Sequence, residues 1–337
     1  MITYPNVKVN LGLSVLRKRP DGYHDLETLF VPYFDIHDTL EIISGDDFSR
    51  TSASLFERYF TSGSSAPENV LRTPPKRAWV PPFYVAEGGT VFRDTAPAEE
   101  SEPLFRDGTP PDDRLSIRQG IREDGKLMIT IARKEGVDWD PLEDLTAKAY
   151  GLLDADFDLP PVKIFLEKTA PVGAGLGGGS ADAAFALRML SELFALGLDE
   201  AALAAYAARL GSDCAFFVYN RPMIGTGRGD VLEPCDIDLS QFELRVEVPA
   251  GVSVSTADAY RGIVPREAAA AGRACPLREA LSRPVAEWRD LLVNDFEATV
   301  FAKYPVIAEA KQALYDAGAT YASMSGSGSA VFGLFSR

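Results

Sequence analysis

Hydrophobic and polar positions alternate without a break from Val7 to Val15. Val7, Val9, Leu11, Leu13 and Val15 share one face; Lys8, Asn10, Gly12 and Ser14 share the other. A period of two predicts a strand with one face in a core. The second face sets a lysine and an asparagine two residues apart, pointing the same way. The pattern alone leaves them as a solvated face or as working groups. Further strands are predicted over Thr28 to Phe34, Asp38 to Ile43, Leu127 to Ile131, Val162 to Lys168 and Leu244 to Val248. Helical spacing takes over elsewhere. One helix begins at Asp144, with Leu152 and Leu153 on its apolar side. A second carries Leu187, Leu190 and Phe194 on one stripe and stops at Gly197. A third runs from Asp199 to Arg209. A fourth opens on Pro305, turns Ile307, Ala310 and Leu314 inward and ends at Gly318. The run Cys214-Ala215-Phe216-Phe217 reads as an apolar strand after a glycine turn. Asp213 at its head is either a cap or a working carboxylate.

From about residue 44 to 124 this order is lost. Proline recurs at Thr73-Pro74-Pro75, Val80-Pro81-Pro82 and Thr109-Pro110-Pro111, and Glu99, Glu100 and Glu102 form an acidic cluster. Phe56, Tyr59, Trp79, Phe83, Tyr84 and Phe92 make the stretch too aromatic for a plain linker. A structureless loop of this length is uncommon within a domain. The expectation is an insertion packed on the surface as short strands, with a lid, a dimer contact and a neutral embellishment all open as roles.

The chain is organised around Pro171-Val172-Gly173-Ala174-Gly175-Leu176-Gly177-Gly178-Gly179-Ser180. A strand precedes it and a helix follows. Glycines let successive N–H groups converge on one anion, and a helix N-terminus adds unpaired donors and partial positive charge. Ser180 is placed as an N-cap or as a hydroxyl contact to phosphate. The stretch therefore reads as a phosphate cradle; a plain tight turn needs fewer glycines. Gly173-x-Gly175-x-x-Gly178 matches the dinucleotide fingerprint, but that design wants a second strand ending in an acidic residue. A helix is predicted there instead. No Gly-Lys-Ser/Thr closes the loop, so the P-loop fails as well.

Composition narrows the partners. A net charge of −15 argues against nucleic acid or an anionic membrane, which want a basic face. Three scattered cysteines and two histidines make a structural zinc site improbable and point to a reducing compartment. No signal-like start and no long apolar run are seen, so a cytoplasmic location is expected.

Pro-x-Gly-Ala-Gly-Leu-Gly-Gly-Gly-Ser-x-Asp-Ala-Ala, from Pro171 to Ala184, resembles the central motif of the small-molecule kinases grouped around galactokinase, homoserine kinase and mevalonate kinase. The triple glycine and the tail Ser180 to Ala184 narrow the resemblance to the branch that phosphorylates 4-diphosphocytidyl-2-C-methyl-D-erythritol. Four more segments are similar to that branch: Pro5-x-x-Lys8-Val9-Asn10-Leu11, Arg19-x-Asp21-Gly22-Tyr23-His24-x-Leu26-x-Thr28, Gly211-x-Asp213-x-x-Phe216-Phe217 and Met324-Ser325-Gly326-Ser327-Gly328.

The resemblance implies an α+β fold of two domains with the site in the cleft between them. Residues 1–225 would bind ATP and carry the insertion at about 44–124, and residues 226–337 would bind substrate. It implies ATP-dependent transfer to the 2-hydroxyl of the cytidyl acceptor, in non-mevalonate isoprenoid precursor synthesis. ATP and Mg²⁺ are the implied cofactors, and a small-molecule cytidine-diphosphate substrate is the implied partner. Asp213 would be the catalytic base, with Lys8 orienting it and stabilising developing charge. Pro171, Gly173, Gly175, Gly177, Gly178, Gly179 and Ser180 would hold the ATP phosphates. Asn10 would position the acceptor; Tyr23, His24 and Tyr260 would hold its cytosine. Lys168 is placed to meet adenosine or phosphate, or is an exposed strand-end lysine. Gly225, Gly227 and Gly229 resemble the family's glycine-rich turn into the second domain, read as structural with a substrate contact open. The chain has Asp144 where the family usually has asparagine, and Ala215 where it usually has proline. A sister kinase acting on homoserine or a mevalonate-type acceptor would share the glycine loop without needing the base clamp. A non-catalytic nucleotide-binding homologue would not need Lys8, Asn10 and Asp213 together.

Overall fold

In the computed structural model, which describes residues 1–45, 116–266 and 275–337, two compact units interleave along the chain. The first takes residues 1–5, 38–169 and 186–197; the second takes residues 6–37, 170–185 and 198–337. Most of the expected insertion, with its aromatic residues and acidic cluster, lies outside the described residues.

The first unit holds a five-stranded sheet in the order β1-β4-β7-β6-β5. Its strands are β1 (Ile2–Thr3), β4 (Thr39–Ser44), β5 (Ser116–Ile121), β6 (Leu127–Arg133) and β7 (Val162–Lys168). β6 and β7 run parallel, and the chain between them supplies the crossover helix α1 (Leu145–Phe157). That helix buries Ala149, Tyr150 and Leu153, and the sheet buries Leu40, Ile42, Ile129, Ile131, Ile164 and Leu166. Asp144 caps α1: its Oδ1 accepts from the Thr146 N–H at 2.9 Å and from the Thr146 hydroxyl at 2.7 Å. Its Oδ2 accepts from the Trp139 indole at 3.1 Å. Both oxygens are thus committed inside the fold, which a carboxylate does at least as well as an amide. β5 pairs along its full length with β6, so residues 116–121 belong to the sheet and not to an insertion. Its polar, edge-strand sequence hides the period of two.

The second unit holds two antiparallel sheets. One is ordered β2-β3-β8-β9, from β2 (Asn6–Lys18), β3 (His24–His37), β8 (Met223–Thr226) and β9 (Val231–Pro234). The other is ordered β10-β12-β11, from β10 (Phe242–Glu247), β11 (Tyr321–Met324) and β12 (Val331–Ser336). β3 pairs with β8 from Thr28↔Gly225 to Phe30↔Met223. These ladder bonds tie residues 6–37 to the later chain, so the single boundary expected after residue 225 falls inside this unit. The helices that matter for the site are α2 (Gly178–Leu193), α3 (Glu200–Leu210), α4 (Cys214–Tyr219) and α5 (Thr256–Arg261).

The alternating stretch is β2, and its apolar face lies in the core as expected. Val9 and Leu11 pack in one cluster with Leu29, Leu176, Trp288 and Phe332. Leu13 and Val15 pack in another with Phe296, Ile307 and Met324. Each such side chain contributes about 1.5–3 kcal/mol by leaving water. The other face is buried too: Lys8 is only 3% exposed and Asn10 only 2%. It is not a solvated face.

The run after Asp213 is a short helix, α4, and not a strand. Cys214 to Val218 are all buried, so no alternation marks the period. Asn220, with positive φ, ends the helix. Asn220 and Asn6 exchange side-chain hydrogen bonds of 2.8 and 3.1 Å. That pair pins the end of α4 to the start of β2, and so fixes Asp213 relative to Lys8. Ala215 lies buried in the first turn of α4, a place where proline is also accepted.

Candidate active site

The glycine loop is held from behind. Ala174 and Leu176 point into the core, while Gly173 and Gly179 are exposed and Gly175, Gly177, Gly178 and Ser180 are half-buried. The Leu176 carbonyl accepts from the Lys8 N–H at 3.0 Å, and the Ala174 carbonyl from the Ala330 N–H at 3.0 Å. α2 starts at Gly178, so Ser180 lies in its first turn and not before it. The first N–H groups of that turn have no partner within the helix. Gly175 has φ +79°, and a Cβ there would sit 2.2 Å from the Ser325 carbonyl oxygen. Only glycine fits. Gly175→Ala is expected to lower stability by about 2–4 kcal/mol, from a backbone clash added to left-handed strain. Thermal unfolding of the variant checks this; an unchanged Tm would contradict the close approach.

Three groups meet the ammonium of Lys8. Its Nζ donates to Asn10 Oδ1 at 2.6 Å and to the Gly175 carbonyl at 2.8 Å. Asp213 Oδ2 lies 3.5 Å away. Burial pushes the Lys8 pKa down, and the Asp213 charge opposes that. Asn10 in turn donates from Nδ2 to Thr28 Oγ1 at 3.1 Å, and Thr28 donates to the Gly12 carbonyl at 2.5 Å. Asn10 therefore braces Lys8 as well as lining the cavity. Asp213 occupies the cap position of α4, yet its carboxylate makes no capping hydrogen bond. Its side chain is 30% exposed and lines the cavity. The carboxylate thus makes no capping bond, faces the buried Lys8 ammonium and opens onto the cavity.

The C-terminal turn closes one wall. Asn294 Nδ2 donates to the carbonyls of Met324 and Gly326, both at 2.8 Å. Ser325 Oγ donates to the Gly175 carbonyl at 3.1 Å and accepts from the Asn10 N–H at 3.3 Å. Ser327 Oγ lies 3.1 Å from Thr256 Oγ1.

At the aromatic side, His24 stacks on Tyr260 with ring centroids 4.7 Å apart and planes 19° from parallel. Tyr260 meets Phe296 edge-on at 4.7 Å. Burial, then the Lys18 charge, pushes the His24 pKa down, and burial pushes that of Tyr260 up. Tyr23 is 57% exposed, with the Arg228 guanidinium 5.0 Å over its ring. The three expected clamp residues thus share one neighbourhood. The closed pair, however, is His24 with Tyr260; Tyr23 stands outside it.

A cavity of about 320 Å³ is lined by Lys8, Asn10, Gly175, Gly177, Ser180, Asp213, Arg228 and Tyr260 among others; Tyr23 and His24 are outside its lining. Residues from both sides of position 225 build it, yet all of its lining belongs to the second unit. Its size suits a small polyol with a transferring phosphoryl group.

Lys168 is committed to a partner. It belongs to the first unit, buried at the end of β7, and its ammonium is paired with the fully buried Asp38. Asp38 also accepts from the Thr169 N–H at 2.7 Å. It is therefore not an exposed strand-end lysine. Lys168→Met removes the cation paired with a buried carboxylate and is expected to cost about 3–5 kcal/mol in urea unfolding. A change below about 0.5 kcal/mol would show the pair to be unimportant.

Sequence reasoning missed Thr28, Thr256, Phe296 and Arg228 as parts of the site. Thr28 and Arg228 sit inside quoted motifs, but nothing in the spacing says that they face the same cavity as Lys8. Among the described residues no group of three or more His, Cys, Asp or Glu side chains is placed to hold a metal ion. No described helix is long and apolar enough to cross a membrane.

Comparison with known proteins gives the geometry a context. Residues 144–221 match the family model for the GHMP kinases N terminal domain, and residues 277–337 match that for the GHMP kinases C terminal domain. The chain is 40% identical to 4-diphosphocytidyl-2-C-methyl-D-erythritol kinase of Bacteroides fragilis, over 100% of this chain and 92% of that protein. A crystal structure of 4-(cytidine 5'-diphospho)-2C-methyl-D-erythritol kinase superposes with a TM-score of 0.63 at 27% identity, covering 99% of this chain and 90% of that one. A mevalonate kinase, at 10% identity, shares the fold with a TM-score of 0.53, covering 99% and 91%.

Proposed function

Because the chain belongs to the 4-diphosphocytidyl-2-C-methyl-D-erythritol kinase family, we propose that it transfers the γ-phosphoryl group of ATP to the 2-hydroxyl of that cytidyl acceptor. The step belongs to non-mevalonate isoprenoid precursor synthesis. The observation that carries the reading is the Lys8–Asp213 pair at 3.5 Å, facing a cavity bounded by the glycine loop.

Phosphoryl transfer needs little covalent help from a protein; positioning and charge do most of it. The backbone of Gly173 to Gly179, with the first turn of α2, receives the ATP phosphates. Asp213 takes the proton of the attacking hydroxyl. That hydroxyl is tertiary and hindered, so placement matters as much as basicity. Lys8, fixed by Asn10 and the Gly175 carbonyl, orients Asp213 and meets charge developing on the transferred group. Tyr23, His24 and Tyr260 form the cytosine end, where aromatic stacking supplies affinity and the imidazole edge supplies choice.

Mg²⁺ is part of the proposal. When bound it neutralises the β- and γ-phosphate oxygens. Such an ion is held mainly by phosphate oxygens and water, with one or two protein oxygens. The donor set here fits that sparse pattern: Ser180 and Asp213 both line the cavity and would supply the protein oxygens.

ADP release tests the reading. With Mg-ATP, turnover is expected with the cytidyl acceptor and not with homoserine or mevalonate. Turnover with homoserine or mevalonate instead would assign the chain to a sister kinase. Saturable ATP binding without any turnover would make it a non-catalytic homologue.

A further inference from the structure

The cavity has two cationic side chains in its lining, Lys8 and Arg228. Lys8 already has three partners around its ammonium. Arg228 is differently placed. It sits in the turn between β8 and β9, where the Gly227 carbonyl accepts from the Leu26 N–H at 2.7 Å. That bond ties the turn to β3 two residues beyond His24. Asp230 then fixes the side chain. Its Oδ1 accepts from the Arg228 N–H at 3.0 Å, and its Oδ2 accepts from Nε at 3.2 Å and Nη2 at 3.1 Å. One edge of the guanidinium is thereby used. The other edge, both Nη1 hydrogens and one on Nη2, has no hydrogen-bond partner among the described residues. It keeps the fork that matches phosphate oxygens. The same guanidinium lies over Tyr23, at the cytosine end.

On the reading above, the acceptor has cytosine at one end, the reacting hydroxyl at the other, and a diphosphate between. Tyr23 and His24 mark the first end; Lys8 and Asp213 mark the second. We propose that Arg228 binds the diphosphate of the cytidyl acceptor, and so selects a phosphorylated cytidine over the bare nucleoside. Asp230 is its positioning residue: it pre-orients the fork, so little side-chain freedom is lost on binding. The inference rests on the assignment of a cytidyl acceptor, and it adds a specificity residue to it.

The test uses the full chain with Arg228→Gln and Arg228→Lys, and compares CDP with cytidine as competitors of the cytidyl acceptor. Arg228→Gln should raise the inhibition constant of CDP, and KM for the acceptor, by about tenfold to a hundredfold, the loss expected for a charge-assisted pair. The constant for cytidine should move less than twofold, and the loss should appear in KM more than in kcat. Arg228→Lys keeps the charge without the fork and should fall between. Retained cytidine binding also shows that the variant is folded. If CDP and cytidine weaken together, Arg228 merely props Tyr23 and the proposal fails. It fails as well if neither constant moves. Wild-type protein that neither binds CDP nor uses the cytidyl acceptor would overturn the functional reading itself, a result distinct from the other two.

Discussion

Asp213→Asn should lower kcat by about 10²–10⁴-fold, the usual contribution of a positioned general base. The substitution keeps size and shape. The amide oxygen can still face Lys8, so the 3.5 Å approach and the cavity wall should survive. It cannot accept the proton of the attacking hydroxyl. Stability should fall modestly: the carboxylate makes no capping bond for α4, but the buried Lys8 ammonium loses its counter-charge. ATP affinity, set by the glycine loop, should stay within about threefold, well under 1 kcal/mol. Single-turnover rates and ATP titrations separate these quantities. A variant with wild-type kcat would remove Asp213 from the chemistry. One that lost ATP binding and activity together would make it a structural residue of the loop.

Lys8→Met should reduce kcat by about 10²–10³-fold, in the range seen when one transition-state donor is removed. Here the fold gains something as it loses activity. Burying the ammonium opposes its charge, so an apolar chain of similar length relieves that cost. Against this, Asn10 Oδ1 and the Gly175 carbonyl lose a donor at 2.6 and 2.8 Å, about 1–3 kcal/mol for a buried acceptor left unmade. The two effects oppose one another, so Tm should move little while turnover collapses. Lys8→Arg should not restore activity. A Cβ on Gly177 would already lie 3.2 Å from Lys8 Cε, which shows how closely the loop packs on the lysine stem. A planar guanidinium has no room there. Restoration by arginine would mean that charge alone is required, without the present geometry.

How much of this was legible follows from the strength of each local pattern. β7 and α6 (Pro305–Asp316) were readable from the sequence because their apolar period is strong and their ends carry proper stop signals. Val7 to Val15 was readable as a strand, but not the burial of Lys8 and Asn10. That burial comes from the glycine loop and the Ser325 turn, more than 150 residues away, covering the second face. α4 was misread as a strand because five consecutive buried residues carry no period. β5 was lost in the insertion because an edge strand with exposed polar side chains resembles a loop. The Lys168–Asp38 pair joins positions 130 residues apart, and no spacing rule sees it. The glycine loop, Lys8 and Asp213, each flagged by a motif, line one cavity. The motifs did not show that His24 would face Tyr260, nor that Arg228 would lie on Tyr23.

The central claim is transfer to the 2-hydroxyl, and proton-coupled ³¹P NMR of the product tests it most directly. The C2 carbon of the acceptor carries a methyl group and no hydrogen. A phosphate placed there has no proton three bonds away, so the new monoester resonance should be a singlet, with one ADP formed per product. A doublet would place the phosphate on the secondary hydroxyl and a triplet on the primary one. Either would contradict the arrangement of acceptor, Lys8 and Asp213 proposed for this site.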